Sequence, residues 1–498
     1  MRNAGGLFCL MLAGSATVHA QGRPLDWPFY GGDAQRSGWE KTDSRITRDN
    51  VKDFTLVLKR KLEKGGAASL TPPVVIGNLI SYKGFKELAF IAGSSGSMWS
   101  IDVDTDRVFW QKRLSTGPSG SCEGVTAVPS LTPPLNFAAR PRPPAAAAGA
   151  PRSPGAPPTP AGAPPATPVR TGILGTGAFG APRPAFAVSS DGKLHLLNTS
   201  TGDDLVPPIA FIPAGAKASS LAIADGVIYT TTSSDCGGQT GVWALNLAEV
   251  DPKDSSSTPK PASFLPKSGT ISTIGGLAFG SDGTVYVQTS SALFALAPKD
   301  LRVKQTFPLP GAKNPATPVV FARNGQDLIA AAGANGALYL FDSKSQVYKS
   351  PALTASGQGV WGGLSSWQEA DGTRWVLAPV WGALNPELGL TTKAAHGSVV
   401  AFKVEDRNGT AALTPAWASS DLNSPQPPVI ASGIVFALAS TPHATLHALD
   451  AVTGEELYST GNQVTAPANL TGITVANGRV YFTTTDGTLY AFGIFLER

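Results

Sequence analysis

The sequence repeats one pattern eight times. Each copy alternates apolar and polar residues, passes through a short polar turn and continues into a second extended run. The clearest copy is ATLHALDAVTGEELY, residues 444–458. The other seven begin at Gly96, Gly192, Gly241, Ser291, Gly336, Gly397 and Gly487. Because alternation over a short run is typical of a half-buried strand, we interpret each copy as an outer β-hairpin.

The spacing of the copies indicates a radial fold. Most copies start about 43–50 residues after the previous one, the length of a four-stranded propeller blade. A charged content of only 15% together with 55 glycines suits short buried strands joined by tight turns. We therefore predict an all-β, eight-bladed β-propeller of four-stranded antiparallel blades. The expected blade spans are 66–115, 120–213, 217–268, 269–311, 314–354, 357–420, 424–464 and 466–498.

The two ends of the repeat region predict how the ring closes. Residues 54–62 alternate like the outermost strand of a blade, but no inner strands precede them. The final repeat, 466–498, has inner strands and no outermost one. We expect residues 54–62 to complete this last blade, because the pairing removes free strand edges at both chain ends.

The first twenty residues indicate export. Arg2 precedes the apolar run 6–13, and Val18 and Ala20 place small residues where signal peptidase cleaves. We interpret residues 1–20 as a signal peptide and expect a periplasmic or extracellular protein. No later segment reaches the roughly 20 apolar residues that a membrane-spanning helix needs.

Residues 21–498 are predicted to form a single propeller domain with one insertion. The stretch at about 132–184 is dominated by Pro, Ala and Gly and contains no acidic residue. Such a composition buries too little apolar surface to fold alone, so we predict a disordered, dispensable insertion. Its five arginines leave open a second interpretation, a tether for an anionic surface.

Two cysteines remain after signal cleavage, Cys122 and Cys236. A pair in an oxidising compartment can form a disulfide. We predict this bond because both residues are expected in loops on one face of neighbouring blades. Two separate buried thiols are the alternative.

Residues 100–110, SIDVDTDRVFW, match the spacing of the eleven-residue pyrroloquinoline quinone (PQQ) repeat, Ala-x-Asp-x-x-Thr-Gly-x-x-x-Trp. The best copy, residues 448–458, keeps Asp450, Thr453 and Gly454 and has Tyr458 in place of Trp. The chain resembles the PQQ-repeat, quinoprotein alcohol dehydrogenase-like family of eight-bladed propellers over nearly all of its mature length. The family's dehydrogenases stack a quinone between a Trp and a ring closed by two adjacent cysteines, and the resemblance implies such a site here. It also implies Ca²⁺ held by Glu and Asn, and an Asp base.

The chain departs from these dehydrogenases in the residues that hold the quinone. Residues 120–124, Gly-Ser-Cys-Glu-Gly, stand where the family's cysteine pair would fall, and only one cysteine is present. A Cys-x-x-Cys-His haem motif is also missing from the sequence. PQQ and calcium are therefore cofactors that the resemblance alone suggests.

The candidate site residues fall in loops predicted to face the funnel, the open end of the ring. These loops precede the inner strands or connect second and third strands, and they contain Glu123, Asp235, Trp361, Trp381, Glu387 and His396. Trp361 and Trp381 could stack on a planar ligand, with packing between blades as the alternative. Trp367 and Trp375 are expected in the core.

The polar candidates suggest weaker hypotheses. Glu123, Asp235 and Glu387 could bind a cation, with Glu123 a weak metal candidate, or could simply form a solvated rim. His396 could act as a base or ligand, but spacing assigns it no partner.

Two classes of function fit these observations. The first is an exported, non-enzymatic protein that binds a protein partner or small ligand at the funnel face, like the family's scaffold members in outer-membrane protein assembly. The alternative is a divergent PQQ- and Ca²⁺-dependent alcohol or sugar oxidoreductase, which the full eight-blade ring favours. A sugar-binding module using Trp381 is a third hypothesis. A net charge of +4 without a basic run argues against nucleic acid, and we expect a monomer.

Overall fold

The computed structural model describes residues 26–64, 69–81, 84–114, 127–131, 184–234, 238–250, 259–272, 274–311, 315–355 and 359–494. Within these ranges the chain forms eight β-sheets and no α-helix. The predicted all-β, eight-bladed propeller is confirmed. The 3₁₀ helices are Val51–Asp53, Leu247–Glu249, Ala334–Gly336 and Pro386–Leu388.

The first four blades follow one another along the chain, numbered from the inner strand outward. Blade 1 contains Val74–Ser81, Gly84–Ala92, Ser97–Asp102 and Arg107–Arg113. Blade 2 contains Ser130–Leu131, Pro184–Val188, Lys193–Asn198 and Ile209–Ala210. Blade 3 has a divided inner strand, Lys217–Ala218 and Ala222–Ala224, followed by Val227–Ser233, Gly241–Asn246 and Ala262–Phe264. Blade 4 contains Leu277–Phe279, Val285–Gln288, Ala292–Leu296 and Val303–Pro308.

The other four blades complete the ring. Blade 5 contains Val319–Arg323, Gln326–Ala332, Leu338–Phe341 and Gln346–Lys349. Blade 6 also has a divided inner strand, Gly359–Val360 and Ser365–Gln368, followed by Arg374–Trp381, Gly397–Arg407 and Thr410–Ala418. Blade 7 contains Val429–Ala431, Ile434–Ala439, Thr445–Asp450 and Glu456–Ser459, with Trp39–Glu40 added in parallel at its inner edge. Blade 8 contains Thr474–Ala476, Arg479–Thr484, Thr488–Gly493 and Thr55–Lys61.

The strand Thr55–Lys61 closes the ring. It pairs antiparallel with Thr488–Gly493, so that Thr55 lies opposite Gly493 and Lys61 opposite Thr488. The predicted closure by the N-terminal strand is therefore confirmed. Just before this strand, the ring of Phe54 stacks on Phe436 of blade 7 with centroids 5.8 Å apart.

The spacing of Asp, Thr and Gly in the eleven-residue repeat has a packing explanation, which blade 7 illustrates. In blade 7, the carboxylate of Asp450 accepts hydrogen bonds from the amides of Val452 (2.9 Å) and Thr453 (2.8 Å), which fixes the Thr-Gly turn. Trp417 of blade 6 lies against the next residue, Gly454, where a Cβ atom would come within 2.6 Å of the indole. Glycine also suits the positive φ of 76° at this position. The turn and the aromatic residue thus join neighbouring blades.

Residues 27–43, which we call the plug, cross the central channel. The plug forms a hydrogen bond of 2.6–3.0 Å with every blade. In blade order, the partner residues are Val75, Leu131, Ser220, Phe279, Val320, Ser366, Ile430 and Gly478. Most of these bonds run from an inner-strand amide to a plug carbonyl. Backbone hydrogen bonds of this kind leave no side-chain pattern in the sequence, so the sequence does not predict the plug.

Arg36 anchors the plug and is 2% exposed. Its guanidinium donates to the carbonyls of Leu277 (2.8 Å) and Tyr30 (2.5 Å) and to the Ser220 hydroxyl (2.9 Å). It also lies 5.6 Å from the ring centroid of Phe29. Burial lowers the pKa of Arg36 to about 10, although Tyr30 and Asp33 act in the opposite direction.

Candidate ligand site at the funnel mouth

A cup lies among the loops at the funnel end of the ring. This cup measures about 300 Å³ and is lined by loops of blades 1, 2, 3, 4 and 8. Its polar lining consists of Ser69, Thr71, Ser94, Ser219, Thr471 and Lys217, and its apolar lining of Val128, Ala218, Ile274 and Leu470. The described lining therefore presents hydroxyl groups and one ammonium group, but no carboxylate.

Hydrogen bonds within and between blades hold the cup in shape. Ser219 shares a hydrogen bond of 2.7 Å with Thr231, and the Thr471 hydroxyl donates to the Leu70 carbonyl of the next blade at 3.2 Å. Side chains fixed in this way lose little conformational entropy when a ligand binds.

Tyr30 of the plug packs against two residues that line the cup, Val128 and Ile274. Its hydroxyl is buried and has no hydrogen-bond partner among the described residues. Burial raises the pKa of Tyr30 above its ordinary value, against the lowering effect of Arg36. The phenol therefore stays protonated.

Trp361 and Trp381 form a stacked pair beside the cup. Their ring centroids are 4.9 Å apart and their planes differ by 9°. Trp361 packs against the Tyr30, Val128 and Ile274 cluster, while the Trp381 indole donates to the carbonyl of Pro425 in blade 7 at 2.8 Å. Both rings are half-buried. Each covers one face of the other, so a planar ligand could contact only an outer face of the pair.

Glu387 belongs to the long loop between the second and third strands of blade 6. It lies in the 3₁₀ helix Pro386–Leu388 and is exposed. The Asn385 side chain caps this helix and also donates to the carbonyl of Ala352 in blade 5 at 3.0 Å. The loop is therefore docked on blade 5. Among the residues with described positions, Glu387 belongs to no group of three His, Cys, Asp or Glu side chains that could hold a metal ion.

His396 ends the same loop and has a partner that sequence spacing could not assign. Its Nδ1 lies 2.6 Å from the carboxylate of Asp421. Asp421 also accepts hydrogen bonds from the amides of Ala395 (3.0 Å) and His396 (2.8 Å). Partial burial tends to raise the pKa of Asp421, but the bonds from His396 and the backbone outweigh it and hold the pKa below its usual range. The pair orients the imidazole at the surface of the mouth.

The remaining predicted site residues lie outside the described part of the chain. Cys122 and Glu123 fall within 115–126, and Asp235 and Cys236 fall within 235–237. The disulfide and the metal role of Glu123 stay predictions. Trp367 and Trp375 are buried and stack on each other at 6.0 Å, so their core assignment agrees with the structure.

The described residues of the mouth do not fit PQQ and Ca²⁺ as the resemblance implies them. Calcium takes about six to eight oxygen ligands, commonly including carboxylates. Among the residues with described positions, no group of three His, Cys, Asp or Glu side chains could hold a metal ion. The resemblance implies a quinone between a Trp and a ring of adjacent cysteines, whereas one face of Trp361 and one face of Trp381 are covered by the other tryptophan.

Ser189, His195 and Asp204 in blade 2 are hydrogen-bonded in the order of a hydrolase triad. His195 lies 3.1 Å from the Ser189 hydroxyl and 2.9 Å from Asp204. However, Ser189 is 1% exposed, and its hydroxyl donates to Asp191 and to the carbonyl of Lys193. A substrate cannot reach this hydroxyl, so the network stabilises the hairpin.

Comparison with known proteins places this geometry in context. Residues 393–494 match the PQQ_2 family profile, described as "Outer membrane protein assembly factor BamB". No curated protein has a significantly similar sequence. The quinohemoprotein alcohol dehydrogenase from Comamonas testosteroni superposes with a TM-score of 0.60 at 14% identity, over 95% of this chain and 82% of that chain.

Two further solved structures share the fold. The europium-containing methanol dehydrogenase gives a TM-score of 0.58 at 10% identity, over 95% of this chain and 98% of that chain. The computationally designed Ika8 protein gives 0.52 at 11% identity, over 88% and 99%. At such identities these superpositions show the fold alone. None of the helices in the described ranges is long and apolar enough to span a membrane. The eight-bladed ring and the profile match over residues 393–494 therefore bear out the predicted resemblance to the PQQ-repeat β-propellers.

Proposed function

We propose that this protein is an exported, non-enzymatic binding protein whose funnel face receives a partner. The observation that carries the proposal is the stacked Trp361 and Trp381 pair beside a hydroxyl-lined cup. Half-buried tryptophans on a rigid support supply large contact area at low entropic cost, and they are common at the energetic centres of protein interfaces.

The chemistry of the cup supports binding over redox chemistry. Its hydroxyl groups and Lys217 suit the polar end of a ligand or a peptide side chain. The volume of about 300 Å³ is at the lower limit for small-molecule sites. A projecting group of a larger partner fits this size, with the tryptophans contacting the rest.

The profile match supports a protein as that partner. Residues 393–494, which match a profile described as an outer membrane protein assembly factor, include His396 and Asp421 at the mouth. Together with the predicted signal peptide, this match favours a role in the cell envelope, in the assembly of outer-membrane proteins.

Photo-cross-linking tests the proposal. A photoreactive residue replacing Trp381 should capture a defined envelope protein in cells, and the same residue replacing Trp243, a half-buried tryptophan of blade 3, should not. With the purified partner, Trp361→Ala should weaken binding about 30-fold, as expected for an interface residue worth about 2 kcal/mol. Equal capture at both positions would contradict the proposed surface.

Titration with PQQ and Ca²⁺ tests the alternative, a divergent quinoprotein oxidoreductase. We expect no quinone absorbance on the protein, no rise in melting temperature and no dye-linked oxidation of alcohols or aldoses. A ligand at 100 times its Kd stabilises the folded state by about 2.7 kcal/mol, so binding would be measurable. A stabilised, alcohol-oxidising complex would replace the binding proposal with the enzymatic one.

A further inference from the structure

Asparagine is followed by glycine at four places in the sequence, residues 324–325, 335–336, 408–409 and 477–478. Such a pair can react with itself, because the glycine carries no side chain that would keep its amide nitrogen away from the side-chain carbonyl of the asparagine. The reaction replaces the asparagine amide by an acid. All four pairs have the same two reacting groups, so the folded structure decides which of them reacts.

Two of the four pairs are held inside regular contacts of the ring. The Gly478 amide donates to the carboxylate of Asp43 at 2.6 Å, and Asn477 beside it is buried. The Gly336 amide donates to the carbonyl of Gly333 at 3.2 Å within a 3₁₀ helix. In both pairs the nitrogen that would have to attack is therefore engaged in a hydrogen bond.

The other two pairs, 324–325 in blade 5 and 408–409 in blade 6, form turns of the same kind. Each connects two antiparallel strands of a hairpin and is exposed. The asparagine and the glycine have φ values of 50° and 75° in the first turn and of 57° and 81° in the second. Positive values at both positions are typical of the tight Asn-Gly hairpin turn. The backbones of the two turns therefore match, and their surroundings can be compared directly.

The two turns differ in what the glycine amide meets. The Gly409 amide donates to the carboxylate of Asp406 at 2.8 Å, two residues before the asparagine of its turn. The matching position in the blade 5 turn is Ala322, which offers no acceptor side chain. Among the described residues the Gly325 amide has no hydrogen-bond partner, and a Cβ added there would meet no atom within 4 Å. Solvent therefore reaches this N–H freely.

We propose that Asn324 is the principal deamidation site of the folded protein. The Gly325 nitrogen gives its proton to solvent base and bonds to the side-chain carbonyl carbon of Asn324, and the side-chain amide leaves as ammonia. One water then opens either carbonyl of the cyclic imide, which yields aspartate or isoaspartate. The balance is one water consumed and one ammonia released, with no oxidant or reductant. Isoaspartate lengthens the backbone of this turn and adds a negative charge on the face opposite the funnel.

Peptide mapping of the purified protein after incubation in mildly alkaline buffer tests the proposal. Mass spectrometry with electron-transfer fragmentation measures aspartate and isoaspartate at all four positions. We expect deamidation at Asn324 to be about tenfold faster than at Asn408, because the charge-assisted hydrogen bond of Gly409 must first be broken. Isoaspartate among the products identifies the cyclic imide, since direct hydrolysis of the amide gives aspartate alone.

Two reciprocal variants at exposed positions test the cause. Asp406→Ala removes the acceptor of the Gly409 amide and should raise the rate at Asn408 about tenfold, whereas Ala322→Asp should lower the rate at Asn324 about tenfold. An unchanged melting temperature verifies that each variant is folded. In guanidinium chloride, where these hydrogen bonds are lost, the two asparagines should react at similar rates. Negligible deamidation at Asn324, a rate at Asn408 that does not respond to Asp406→Ala, or a difference that persists in the unfolded chain overturns the proposal.

Discussion

Replacing Arg36 by Met tests whether the plug holds the ring together. The substitution keeps an unbranched side chain of similar length but removes every donor of the guanidinium. It leaves the carbonyls of Tyr30 and Leu277 without that donor in a buried site. The Ser220 hydroxyl loses its contact with Arg36 but still donates to the Gly275 carbonyl at 2.7 Å.

The expected loss of stability follows from these contacts. Each buried acceptor left unpaired costs about 1–3 kcal/mol, and the lost contact with the aromatic rings adds about 1–2 kcal/mol. Removing a buried charge offsets part of this loss, which gives a net destabilisation of about 3–5 kcal/mol. For 498 residues, an unfolding entropy of about 2 cal/mol/K per residue converts 1 kcal/mol into about 1 °C. We therefore expect the melting temperature to fall by about 3–5 °C.

Calorimetry measures this change, and amide hydrogen exchange locates it. The amides of Phe279, Val320 and Ser366, which donate to plug carbonyls, should exchange faster in Arg36→Met. Arg107→Met, at an exposed arginine of blade 1, should leave both measurements unchanged. A fall in melting temperature of less than 1 °C, with these three amides still protected, would show that the plug occupies the channel without stabilising the ring.

Four further predictions follow from the closure, the mouth and the segments outside the described structure. Phe54→Ala should cost about 3–5 kcal/mol in a thermal melt, because the ring is 4% exposed and stacked on blade 7; a loss below 1 kcal/mol would refute this. Asp421→Asn should lower the free energy of unfolding at pH values above the unfolded-state pKa of the carboxyl. The difference in stability from the wild type should vanish as the pH falls through the depressed folded-state pKa. A difference that persists at the lowest pH would contradict the role of the Asp421 charge. Deleting residues 141–168 should leave the melting temperature within about a degree or two, whereas a large fall would show that they pack. Mass spectrometry without reductant should find the Cys122 and Cys236 peptides linked, and two alkylated thiols would reject the bond.

The eight-bladed ring could be predicted from the sequence because every blade repeats the same local pattern of residues. Alternation predicted the strands, Asp450 and Gly454 marked the turns, and the unpaired run 54–62 predicted the closure. These features depend on neighbours in sequence or on side-chain periodicity. Such signals survive even where individual repeats are degraded.

The plug and the mouth could not be predicted in the same way. The plug binds through backbone carbonyls, which any residue type supplies. The mutual stacking of Trp361 and Trp381 depends on the register that places Gly359 opposite Trp381, and this register is fixed only when the strands pair. His396 meets Asp421 across a complete hairpin of blade 6, a distance at which spacing carries no information.

The plug also constrains the order in which the protein can acquire its structure. Residues 27–43 leave the ribosome before every blade, yet Asp43 bonds to Gly478, a residue 435 positions later. Contacts between such distant positions form slowly, because the intervening loop must first be closed at an entropic cost. The contacts of the earliest residues are therefore completed last, because the plug lacks part of its partners until blade 8 is present. Folding can finish only after the final blade has been synthesised.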